Sequence, residues 1–351
     1  MTTYSHSPRG RRCRITLTIA TLVVASGVAG MHLGSTPAVA ATRTSAYGWP
    51  VKPFDRQHPV RANFGDPRTI FAGPPSRQTL LNGAGTFQFH FGIDVSAPDG
   101  TAVYPVVSGR VALVNKDWLA VDAGDGRIFS YWHVAPAVAV GARVQEDVTV
   151  LGRIVKSAGH VHLTERDNGV AVNPLAPGHL EPYSDRTKPE LEGVYFRRSV
   201  TSGDLMPDFL RGRVELIASA YDMPELHVPG EWHDLPVTPA LITWRIEQAV
   251  THRVVVHTHT AFDVRGAMPS NDRFWTIYAR GTHQNMSVFG KHFSYMQPGR
   301  YLFRLAPGGF DTRRLRDSVY DLIVTATDIR GNSSSLVVRF SVHNKPGVLG
   351  P

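Results

Sequence analysis

Apolar and polar residues alternate with period two along much of this chain. Phe89, Phe91, Ile93 and Val95 alternate with Gln88, His90, Gly92 and Asp94. Short runs with strand character recur at 101–107, 109–115, 118–122, 128–132 and 148–154, and again at 214–220, 240–246, 253–257, 301–305, 318–326 and 335–342. Such runs predict strands, many of them half-buried. Turn signals divide them, including Pro98-Asp99-Gly100, Gly124-Asp125-Gly126 and the segment from Asp328 to Asn332. No stretch keeps a 3.6-residue period long enough for a substantial core helix. The predicted fold is all-β.

The pattern divides the chain into five parts. Residues 1–40 read as a secretory signal peptide: Arg9, Arg11, Arg12 and Arg14 precede an apolar run, and Ala38-Val39-Ala40 offers a small-x-small cleavage site. Residues 41–59 form a proline-rich lead-in, 60–182 a first strand-rich domain, 183–211 a charged connector, and 212–344 a second domain with the pattern of a β-sandwich. The lone cysteine, Cys13, lies in the signal. The mature chain therefore has no disulfide, and its core or a metal must stabilise it. Removing the four signal arginines, which no acid accompanies, takes the formal charge from +8 to +4. That mild positive balance suits an anionic cell wall. No basic and aromatic stripe points to nucleic acid. The expected product is secreted or held in the cell envelope, is not inserted in a membrane after cleavage, and is a monomer.

The chemistry concentrates in the first domain. In an extended strand, side chains at i, i+2 and i+4 share a face, so His90 and Asp94 point one way and His160 and His162 do the same. Two neighbouring strands would bring all four groups into one cavity, and His133 lies between them in sequence. Imidazole and carboxylate are ordinary zinc ligands, and a catalytic zinc keeps a position open for water. Amide hydrolysis also needs groups that take up a proton and steady a tetrahedral oxyanion. His133 and His160 are available for both tasks. Without mature cysteines a closed thiolate site is excluded, and the H-E-x-x-H helix is absent. His257 and His259 also form an H-x-H pair, but no acid with strand spacing accompanies them.

At these residues the chain resembles the lysostaphin-type zinc metallopeptidases, which cut peptidoglycan peptides. His90-Phe-Gly-Ile-Asp94 resembles the family's first motif, Tyr131-Trp132-His133 its middle segment, and His160-Val-His162-Leu-Thr-Glu165 its last. Asn63-Phe64-Gly65-Asp66-Pro67-Arg68 resembles the opening strand, and the likeness spans about 60–182. It implies one Zn2+ held by His90, Asp94 and His162, with His133 and His160 as paired non-ligand catalytic histidines. It implies a secreted endopeptidase acting on stem peptides or cross-bridges of peptidoglycan. The alternative is a catalytically silent, zinc-holding wall-binding protein or a regulator of cell-wall amidases. Two departures stand out: the loop from Gly152 to His160 is short, and Leu163 replaces the usual Phe. In the second domain, 320–332 is similar to immunoglobulin-like modules of secreted enzymes. The roles open to that domain are spacer, wall binder, or wall of the groove.

Overall fold

In a computed structural model, residues 46–69, 87–198, 203–289 and 294–345 are described. The signal segment 1–40 lies outside them. Strands dominate, as the alternation predicts, and among the described residues the single α-helix is one turn, Phe274–Ile277. No described helix is long and apolar enough to cross a membrane.

The first region is built on one antiparallel sheet in the order Val60–Ala62, Ile93–Ser96, His160–Asp167, Arg127–Trp132, Trp118–Asp122, Gly109–Val114, Arg143–Val144. Its central strand, His160–Asp167, is buried over most of its length. Val161 and Leu163 point into the core while His160 and His162 take the other face. The lead-in joins this core through Tyr47, Trp49 and Val51, all buried. Glu165, fully buried under the central strand, accepts hydrogen bonds from the Tyr47 hydroxyl at 2.5 Å and from His179 Nδ1 at 2.7 Å.

The strand expected across 88–95 is interrupted. Gln88–Phe89 and Ile93–Ser96 are separate strands joined by a bend at Gly92. A Cβ on Gly92 would lie 2.3 Å from the Leu163 carbonyl oxygen and 2.8 Å from His162 Nε2. Only a glycine fits so close to the neighbouring strand at this bend. The strand expected at 101–107 is cut to Ala102–Val103, since Pro105 has no N–H and the Val106 N–H goes to the Tyr131 hydroxyl at 2.8 Å.

The second region has two four-stranded antiparallel sheets. One runs Glu190–Arg197, Arg213–Tyr221, Leu302–Arg304, with Phe310–Asp311 also on Arg213–Tyr221; the other runs Val254–Asp263, Leu241–Gln248, Ser318–Thr327, Ser333–Val342. The two regions meet directly behind the His90 segment. Phe89 packs on Phe274 and Tyr278, with ring centroids 5.2 and 5.8 Å apart. Asp66 accepts from the Thr238 N–H at 2.8 Å, and the Tyr278 hydroxyl donates to the Gly65 carbonyl at 2.8 Å. Most of the buried apolar residues of both regions form one continuous cluster, with Ile217, Ala279 and Leu302 in a small separate one.

At the connector, Asp185, Asp222 and Asp328 bring carboxylate oxygens within 4.8 Å of one another. Burial, and then the charges of Asp185 and Asp328, push the Asp222 carboxyl up to about 8. A carboxyl raised above its unfolded value keeps its proton longer in the folded state, so stability falls as pH rises from about 4 to about 8. Asp222→Asn is therefore expected to raise Tm more at pH 8 than at pH 5, by about 2 °C or more for each kcal/mol recovered. Scanning calorimetry at the two pH values checks this; an equal change at both would contradict it.

Candidate metal centre

His90, Asp94 and His162 meet in one buried cluster, with their ligand atoms within 4.8 Å of one another. Strand register produces this. His162 pairs directly with Asp94 on one side and Trp132 on the other. His90 Nε2 lies 2.7 Å from His162 Nδ1 and 3.1 Å from Asp94 Oδ1, and His162 Nδ1 is 3.0 Å from the same oxygen.

Each ligand candidate is held from behind. His90 Nδ1 donates to the Asn63 carbonyl at 2.8 Å, which leaves the Nε2 lone pair facing the cluster. The other nitrogen of His162, Nε2, is 2.8 Å from Thr164 Oγ1. Arg68 donates to Asp94 Oδ2 at 3.0 Å, leaving Oδ1 inward. Such rear partners fix tautomer and orientation at metal sites.

The charge states agree with this. Burial first, then the Arg68 charge, pull His90 down to about 3, so its imidazole is neutral at pH 7. Burial pushes the Asp94 carboxyl up, but His90, His160 and Arg68 outweigh it and hold the carboxyl well below its ordinary value. Two imidazoles and one carboxylate, buried and converging, form the N,N,O donor set that zinc accepts.

His133 and His160 sit beside the cluster. Their ring centroids are 4.4 Å apart, and His160 Nε2 is 3.5 Å from Asp94 Oδ1. His133 has φ 63°, a left-handed backbone uncommon for a residue with a side chain. That conformation ends the strand Arg127–Trp132 beside His160. Burial lowers both histidines, His160 to about 3. Phe91 and Trp132 wall the His162 side, edge-on to its ring at 5.4 and 6.4 Å, and Trp118 stacks on Trp132 at 4.3 Å. The pair His257 and His259 lies elsewhere, with His259 stacked on Trp244 at 5.2 Å.

All five residues singled out in the sequence thus come together. Sequence reasoning missed the partners Arg61, Arg68, Asn63 and Thr164. Three of them lie in or next to the segment resembling the opening strand, and Thr164 continues the H-x-H face by two residues.

Residues 88–174 match the family model of Peptidase family M23, the lysostaphin-type peptidases. Three solved structures are similar over part of the chain. One, described as the SpoIIQ-SpoIIIAH pore forming complex, is 25% identical, with 38% of this chain and 90% of that one covered and a TM-score of 0.29. A zinc containing peptidase from Vibrio cholerae is 21% identical, with 37% and 39% covered and a TM-score of 0.29. The catalytic domain of a prophage-encoded M23 protein from Enterococcus faecalis is 23% identical, with 35% and 95% covered and a TM-score of 0.25. No curated protein matches the chain.

Proposed function

We propose that this protein is a secreted, zinc-dependent endopeptidase that hydrolyses peptide bonds in the stem peptides or cross-bridges of bacterial peptidoglycan. The carrying observation is that His90, Asp94 and His162 converge with the paired His133 and His160 intact beside them. The M23 match over 88–174 supports the reaction class. The three ligand residues hold one zinc; when bound, zinc acidifies water and polarises a carbonyl.

The chain's own residues supply the rest. His133 and His160, both neutral at pH 7, take up the proton released on attack and donate hydrogen bonds to the oxygen that gains charge. Arg68 and Asn63 keep Asp94 and His90 aimed. Peptidoglycan is the partner, the cell envelope the place, and the monomer the working unit.

The test uses mature protein, loaded with zinc and then chelated, on defined cross-linked and linear muropeptides, with products weighed by mass spectrometry. A chelator-sensitive new amino terminus is expected. No product from either substrate at full zinc loading would replace the enzyme reading with that of a silent wall-binding protein or amidase regulator.

A further inference from the structure

Arg61 stands on the edge strand Val60–Ala62, beside the strand that supplies Asp94. It is 91% buried, at 9% exposure. Its guanidinium lies 4.1 Å from the ring centre of Trp232, a residue of the second region. Only one of its three nitrogens finds a hydrogen-bond partner among the described residues: Nη2, 2.5 Å from His160 Nδ1. That nitrogen is contested, because the Ala158 carbonyl lies 2.7 Å from the same Nδ1. A neutral imidazole nitrogen serves one of them at a time. Arg61 Nε is buried with no acceptor at all.

A buried guanidinium without a carboxylate is expensive. Burial lowers Arg61 to about 10, which leaves it charged at neutral pH. Three acids stand nearby, and none pairs with it. Asp94 acts on Arg61 through its charge, but its oxygens are taken by Arg68, His90 and His162. Asp99 is engaged by the N–H groups of Ser157 at 2.6 Å and Gly159 at 2.8 Å. Glu231 is exposed and makes no ion pair with it among the described residues. Arg61 also lines an open cleft of about 480 Å³ between the turn at 229–232 and the loop at 157–159, next to His160.

We propose that Arg61, clamped by Trp232, is a specificity-determining residue that receives a carboxylate of the substrate on the His160 side of the scissile bond. The inference rests on the peptidase reading and narrows its substrates to acidic peptides. A guanidinium suits a carboxylate because its planar fork matches two oxygens. The second region contributes to the site by supplying Trp232, which holds the fork in place.

The test is calorimetric binding to the zinc-loaded mature protein of two synthetic stem peptides, one with free α-carboxylates and one with these amidated. Hydrolysis is followed in the same samples. The wild type is expected to bind the carboxylate form at least ~10-fold tighter, the range of a charge-assisted hydrogen bond. Arg61→Gln is expected to bind both forms equally while keeping its zinc, Arg61→Lys to keep part of the preference, and Trp232→Ala to weaken it. Equal binding by the wild type, or a preference that survives Arg61→Gln, would overturn the inference. A preference in binding with neither peptide cut would instead overturn the peptidase reading and leave the role of Arg61 standing.

Discussion

His133→Asn and His160→Ala are each expected to lower turnover of a muropeptide by at least ~10²-fold while leaving one zinc bound, since positioned proton transfer contributes about 10²–10⁴. Asn is chosen at 133 because it accepts the left-handed backbone found there. Neither histidine is in the converging ligand set, and His160 approaches it only through the 3.5 Å contact to Asp94. Zinc analysis and initial rates on the same samples decide the matter. Loss of zinc in both variants would make these residues ligands; normal turnover in both would end their catalytic role.

Gly92→Ala is expected to damage the site without replacing a ligand, since its methyl would press on the Leu163 carbonyl and on the His162 ring. The added methyl would meet a backbone oxygen at 2.3 Å, so the strands Ile93–Ser96 and His160–Asp167 must move apart. Those two strands hold Asp94 and His162 in register. Overpacking of this kind costs about 1–3 kcal/mol, and the displacement also weakens zinc binding. Gly193→Ala is the control, since nothing lies within 4 Å of its added carbon. A melting curve and a zinc titration should separate the two variants. Equal behaviour would contradict the tight crossing described for Gly92.

Four of the five polar residues of the site were legible from local spacing: i+2 for His160 and His162 on one strand, and i+4 for His90 and Asp94, which meet although the bend at Gly92 interrupts the strand expected there. His133 was legible only from its Tyr131-Trp132-His133 segment. Their supports were not. Arg68 reaches Asp94 across 26 residues and Arg61 reaches His160 across 99, and no periodicity reports a contact at that range. The fold class was legible from alternation, whereas strand ends were not. The expected strand at 148–154 begins only at Gly152, because the N–H groups of Val148 and Thr149 turn back to the Gln145 carbonyl. The helix Phe274–Ile277 is too short to show a period, and its Phe274 and Tyr278 at the cap are recruited by Phe89 from the other region.

The most direct measurement is the zinc content of the intact mature protein by native mass spectrometry, for the wild type and for Asp94→Ala. The geometry predicts one zinc in the wild type and none in the variant, with both still folded. A wild type that holds no zinc when supplied with it, or a variant that keeps the ion, would contradict the site at His90, Asp94 and His162.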